Sequence, residues 1–369
     1  MIRSTERVLT THTGSLPRPP DLLEKLLQKE EGHQVHDTAF TERVCIAVRE
    51  TVLRQAEVGI DVVNDGEVGK AGYTVYVKER LTGFDGEEPA PGTPSDEAVD
   101  FPEYHSRAAR SRRGVRRPTC TGPVAWKDRS AVDRDIANLN AALVGVKPND
   151  VFMTAASPGN VADYHQDRYY GSHEAYIYAV GDAMKEEYDA IHNAGFLLQV
   201  DCPDLARRNR KSVELSIEVL NHVLRDIPPD RMRMHVCWGN NEGPHHLDVP
   251  LAEIVELLLT ARPAGLSIEG ANPRHQHEWN VFERVKLPDD KVLIPGVLDS
   301  TTNFIEHPEL VAQRIVRYAQ VVGRENVIAG TDCGFGTNVT DIPIVDGRIA
   351  WAKLQAMAEG AMLASEQLW

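Results

Sequence analysis

A chain of 369 residues that is 42% hydrophobic and 26% charged has the composition of a globular protein with a sizeable core, which excludes disorder as the default. The length exceeds the usual single-domain range, yet barrel folds commonly reach it as one unit. A formal net charge of -15 disfavours binding to phosphate backbones, which depends on a positive surface, so nucleic acid is set aside as a partner.

The first residues, MIRSTERVLTTHTGS, hold no apolar stretch of signal-peptide length, and the chain contains no run of about eighteen apolar residues. The expectation is a cytoplasmic protein with no membrane partner. The five cysteines, Cys45, Cys120, Cys202, Cys237 and Cys333, are odd in number and far apart. That pattern fits reduced thiols, some of them metal ligands, better than a disulfide framework.

In chain order, β-branched runs predict strands at 8–13 and 60–65. A polar insertion follows at about 85–117, joining the acidic, Pro-rich GEEPAPGTPSDE to the basic RAARSRRGVRR. It reads either as a solvated excursion or as a lid or subunit contact whose arginines attract an anionic substrate. Further strands are expected at 119–124, 151–156, 196–201, 232–237, 266–269, 292–298 and 327–331. Helical stripes are clear at Leu251, Ile254, Val255 and Leu258, and again at Val311, Ile315, Tyr318 and Val322. Pro308 sits where a first helical turn accepts proline, and Gly323 where a helix ends. Alternating β and α segments place the chain in the α/β class, with an eight-stranded (β/α) TIM barrel as the simplest closure. The reading is a single catalytic domain over 1–369 carrying one inserted excursion. Nine runs exceed eight strands, and 119–124, directly after the insertion, is the one to doubt.

The reactive side chains fall at the ends of these runs. His235 and Cys237 stand two apart at the end of MRMHVC, and strand alternation points both to one side. Glu269 ends LSIE and Cys333 follows VIAGTD, on the face where barrel enzymes build active sites. Two thiolates, an imidazole and a carboxylate make a four-coordinate donor set that suits Zn2+ by ligand type. Taken singly, a strand cysteine is more often a small buried hydrophobe and a strand histidine a satisfied core residue. Glu269 is harder to read that way, because a carboxylate after an apolar run is costly to bury without a partner.

The series HTGSLPR, GIDVVNDGE, LLQVDCPDL, MHVCWGN, LSIEG, PGVLD and GTDCG, running from His12 to Gly334, resembles the catalytic domain of the cobalamin-independent methionine synthases. The resemblance implies a (β/α) barrel in which His235, Cys237, Glu269 and Cys333 hold zinc and a methyl group moves onto the sulfur of a small, homocysteine-like thiol. It further implies that Ser15 meets the carboxylate of the amino-acid thiol, that Glu67 and Asp201 surround its ammonium group, and that Glu269 loosens when the substrate sulfur arrives. Read from the residues alone, two acids at a pocket mouth favour a cationic group. Ser15 also reads as a turn or helix cap, and the two acids as structural hydrogen-bonding groups.

Three departures from the family pattern bear on the methyl donor. Full-length synthases carry a further N-terminal domain of barrel size, for which this chain has no room. The histidine that protonates departing folate falls here on Thr301, and the acid that follows the Asp of the DEP motif falls on Cys202. The expected donor is therefore simpler than polyglutamyl folate, or a methylated corrinoid protein. In CWGNNEGPHHLDVP, His245 and His246 are the candidate proton donors, with an exposed loop pair as the plainer reading. Trp238 and Asn240 wall the pocket or simply pack. Two other functions stay open: alkylation of a zinc-bound thiolate in the manner of epoxyalkane:coenzyme M transferase, and a non-catalytic zinc-binding barrel. Oligomer formation is open too.

Overall fold

The structure, a computed structural model, describes residues 1–33, 35, 37–87, 96–109, 117–340 and 343–369. Eight strands follow in chain order: β1 (Leu9–Thr10), β2 (Val62–Val63), β3 (Asp150–Ala156), β4 (Leu197–Asp201), β5 (Met232–Val236), β6 (Gly265–Ile268), β7 (Val292–Leu298) and β8 (Ile328–Thr331). They lie in the order β1-β8-β7-β6-β5-β4-β3-β2, and each recorded pairing is parallel. Helices cover the outside, so the chain is an α/β protein with the (β/α)8 architecture. The seam between β1 and β2 is closed by Asp61 N–H to the Thr10 carbonyl at 3.2 Å, Thr11 Oγ1 to the Val62 carbonyl at 3.1 Å, and Thr10 N–H to the Asp61 carboxylate at 2.9 Å. Side chains do there what a ladder does elsewhere, which is why β1 and β2 are shorter than their sequence runs.

The predicted run at 119–124 does not join the sheet. Its backbone pairs with 83–86 and with Gln166, through Gly86 N–H to Thr119 O, Thr121 N–H to Gly83 O and Cys120 N–H to Gln166 O. It is a loop laid over the barrel, and β-branched composition alone cannot tell an edge bridge from a barrel strand. Of the insertion, helices at Asp96–Asp100 and Pro102–Ala109 are described, while 88–95 and 110–116, with most of the basic run, lie outside the described residues.

Both predicted helical stripes lie on buried faces, in Leu251–Leu258 and in Pro308–Val322, with Val322 at the end of the second only half-buried and Gly323, at φ of 89°, capping that helix. No helix among the described residues is long and apolar enough to cross a membrane. Inside the barrel, Leu9, Val292, Ile294 and Ile328 form one apolar cluster and Val62, Phe152 and Leu197 another, with Met1 and Ile2 packed against both. Many of these residues open their strands, so they plug the N-terminal end. Above them the interior turns polar. Arg233, fully buried, donates to Gln199 Oε1 at 2.7 Å, Thr11 Oγ1 at 2.8 Å and the His12 carbonyl at 2.6 Å, with its guanidinium 3.6 Å from the Phe152 ring centre. A buried cation is tolerated there because each of its three nitrogens donates a hydrogen bond and Phe152 covers one face.

Candidate active site

The register of β4, β5 and β6 lines up Asp201 with His235 and His235 with Ser267, and strand alternation turns their side chains to the same mouth. His235 Nδ1 lies 3.2 Å from Ser267 Oγ, whereas the buried Nε2 has no hydrogen-bond partner. Burial first, then the charge of Arg233, lowers its pKa to about 3, so the ring is a neutral donor. Cys237 Sγ is 3.6 Å from Cys333 Sγ, and all five cysteines are free thiols. The donor atoms of His235, Cys237 and Cys333 lie within 4.8 Å of one another, all buried. Hydrogen bonding with Cys333 and burial hold the Cys237 thiol well above the usual range. An orphaned imidazole nitrogen beside two thiols is a donor set that a soft divalent metal fits.

Glu269 is buried beside this cluster, but its carboxylate is engaged elsewhere. Oε1 accepts from Trp238 N–H, and Oε2 from Asn272 Nδ2 and Arg274 Nη2, each at 2.7 Å. The loop that follows Glu269 is organised by Asp332, the residue before Cys333. Its carboxylate accepts from the N–H groups of Gly270, Ala271 and Asn272 and from Asn272 Nδ2, at 2.7–2.8 Å.

Ser15, Glu67 and Asp201 also meet at this end. Gly14 has φ of 145°, and a Cβ there would stand 2.5 Å from Glu67 Oε1; one on Gly334 would run into Ser15 Oγ. Glycine is thus required on both sides of Ser15, which lies between Glu67 and the Cys333 loop. Glu67 holds a left-handed backbone (φ 53°), and its buried Oε2 has no protein donor. Burial raises the pKa of both Glu67 and Asp201, and the charge of Glu67 raises Asp201 further. Strain and an unmet acceptor at one residue are features of a binding site rather than of a packed core.

His245 and His246 face the insertion. His245, also left-handed (φ 50°), has Nδ1 3.3 Å from Asp248 Oδ1 and Nε2 2.8 Å from Asn241 Oδ1. His246 Nε2 is 2.9 Å from Asp100, and its ring abuts Phe101. Glu97, His245 and Asp248 form a second group with ligand atoms within 4.8 Å. Asp248 already serves His245, His275 and Arg274, so its oxygens are committed. Trp238 packs against His275 with ring centres 4.4 Å apart and donates to the Val249 carbonyl. Asn240 is a clamp: Nδ2 donates to Gly334 O and Thr337 Oγ1, and Oδ1 accepts from Ser300 Oγ. Thr301 is also committed, its N–H and Oγ1 each 2.8 Å from Asp299 Oδ1. Beside the cluster opens a cavity of about 950 Å³ whose walls include Arg18, Tyr164, Asn240, Ser300, Phe335 and Trp351.

Sequence reasoning missed Asn272, Arg274, His275 and Asp332. Asp332 carried a signal, an acid inside the otherwise apolar VIAGTDC; the others sit in a loop with no period to betray them.

No family model matches the chain. It is 23% identical to a methionine synthase of Saccharolobus solfataricus over 365 residues, 97% of this chain and 95% of that one. It is 26% identical to one of Sulfurisphaera tokodaii over 363 residues, 97% and 93% of the two chains. Among solved structures, a B12-independent methionine synthase from a Shewanella species, in complex with selenomethionine, aligns with a TM-score of 0.77 at 19% identity over 98% of this chain and 99% of that one. A putative vitamin-B12 independent methionine synthase from Listeria monocytogenes aligns at 0.66 and 17%, over 98% and 99%. Fold and site together define a (β/α)8 barrel with, at its mouth, a cluster of His235, Cys237 and Cys333 that could hold a metal ion. Within that class the chain resembles the cobalamin-independent methionine synthases over nearly its whole length, as its motifs implied.

Proposed function

We propose that this protein transfers a methyl group onto the sulfur of a homocysteine-like thiol, with zinc held by His235, Cys237 and Cys333 and, in exchange with substrate, by Glu269. The observation that carries the reading is the meeting of two thiols and an unpartnered imidazole nitrogen with the acid pair Glu67 and Asp201 at one barrel mouth. Bound there, zinc would deprotonate the incoming thiol and hold it as a thiolate nucleophile at neutral pH. The chain's own residues then have separate tasks. Glu67 and Asp201 receive the ammonium group, which relieves the repulsion and desolvation they suffer when buried together. Ser15 meets the carboxylate. Ser267 fixes which nitrogen of His235 faces the cluster. The cavity beside Asn240 and Phe335 gives the methyl donor room to approach.

Relatives that are methionine synthases and a pair of acids at the mouth both favour an amino-acid thiol over coenzyme M, whose sulfonate would meet like charge. A non-catalytic barrel leaves the acid pair without a task. For the donor, Thr301 leaves the position of the folate-protonating acid without a titratable group near neutral pH, which favours an activated donor such as a methylated corrinoid protein. The test is elemental analysis with single-turnover mass spectrometry on homocysteine. About one zinc per chain, lost in Cys237→Ser and Cys333→Ser, and formation of methionine are expected. No zinc in the native protein, or full zinc in both variants, sinks the assignment.

A further inference from the structure

Glu269 stands apart from the other three members of its set. The His235, Cys237 and Cys333 donor atoms gather within 4.8 Å, whereas the Glu269 carboxylate rests in a cradle of three N–H donors, from Trp238, Asn272 and Arg274. The cradle is itself built. Asn272 is locked by Asp332 through both its backbone and its side-chain amide, at 2.8 and 2.7 Å. Arg274 is directed by Asn272 Oδ1 at 3.2 Å and by Asp248 Oδ2 at 3.3 Å, with its side chain only 18% exposed. Asp248 is braced in turn by His245 and His275, and His246 beside it contacts the Asp96–Asp100 helix of the insertion.

A carboxylate that serves a guanidinium has part of its charge already neutralised, so it is a weaker ligand for a metal ion and a readier one to leave. We propose that Arg274 is a positioning residue that makes Glu269 exchangeable: it holds the carboxylate when a substrate sulfur joins the cluster, so that the sulfur displaces an oxygen at little cost. The thiol proton passes to solvent as the sulfur arrives, and no covalent bond to carbon changes in this step. The inference rests on the zinc and thiol reading above and adds to it the residue that governs the exchange. It also gives His245 and Asp248 a part, since they aim the guanidinium.

The experiment is a homocysteine titration followed by zinc X-ray absorption, counting sulfur against oxygen or nitrogen ligands, on native protein and on Arg274→Met, Arg274→Lys and Asp248→Asn. Arg274→Met is expected to keep its zinc but to need about tenfold more thiol or higher for half-exchange, the worth of one charge-assisted hydrogen bond. Arg274→Lys should recover most of the difference, and Asp248→Asn should shift the half-point in the same direction by a smaller factor. A half-point unchanged in Arg274→Met, or in Asp248→Asn should the Met variant fail to fold, overturns the inference while leaving the zinc reading intact. Native protein that holds no zinc, or gains no sulfur ligand at saturating thiol, overturns the underlying reading and the inference with it.

Discussion

Glu67 keeps a buried carboxylate oxygen without a protein donor, on a backbone held at φ 53°, beside a second buried acid, Asp201. Both carboxyls are pushed above their ordinary range by burial, so the proposed ammonium site exists only when the pair is ionised. Glu67→Gln and Asp201→Asn should each raise KM for homocysteine by roughly 30-fold or more, about 2 kcal/mol for a buried charge pair broken on one side, with a smaller effect on kcat. In the native protein KM should rise as pH falls through these raised pKa values. Unchanged KM in both variants would remove the acids from the substrate site. His275 offers a stability test with the opposite sign. Burial lowers its pKa, but hydrogen bonds with Asp248 and Glu278 outweigh burial and hold it up at about 9. A pKa raised from an unfolded value near 6.5 stabilises the fold fully below that pH, and the benefit is lost as pH rises through about 9. Urea unfolding from about pH 6 to 10 should show native protein losing on the order of 2 kcal/mol in that window and His275→Gln losing almost none of it.

At the scale of elements, the site depends on loops tied to one another more than on the strands that carry them. Asp332 accepts four N–H groups from the loop after β6 and so couples β8 to the residue that follows Glu269. Asp332→Ala strands those donors in a buried loop, and a loss of roughly 3 kcal/mol or more in urea unfolding is expected; a loss below about 1 kcal/mol would mean that water replaces the carboxylate without cost. Asn240 ties the loops after β5, β7 and β8 in the same way. The stripes of Leu251–Leu258 and Pro308–Val322 are legible in the sequence, because a helix that packs on a sheet must show a 3.6-residue apolar period. The ends of β1 and β2 were not, since closure by Thr10, Thr11 and Asp61 side chains leaves no periodic trace.

For the molecule as a whole, we propose one barrel domain over 1–369, since β8 at the end of the chain pairs with β1 at its start. Calorimetry should give a single cooperative transition; two separable transitions would divide the chain. The donor also belongs to this scale. Thr301 donates to Asp299 and cannot supply a proton near neutral pH, whereas a placed general acid is worth roughly 100-fold in rate. Methyl-tetrahydrofolate should therefore support little turnover with homocysteine, and a methylcorrinoid donor substantially more. Steady turnover with methyl-folate on the order of 1 per second or faster would assign the acid role to another residue, with His245 the first to mutate.

The sequence by itself determined the barrel and the placement of His235, Cys237 and Cys333 together at one end of it, because strand alternation and the order of β ends are local patterns. It also singled out 119–124 as the surplus run. Only the tertiary structure decided that this run lies across 83–86, that the described part of the insertion docks on the His245–His246 loop, and that the Glu269 carboxylate, though next to the cluster, is taken up by Trp238, Asn272 and Arg274. Asp332 holding Gly270 and Asn272, about 60 residues away in the chain, is of the same kind. Such hydrogen bonds are set by where a closed sheet brings its loops together, and no spacing along the chain encodes that.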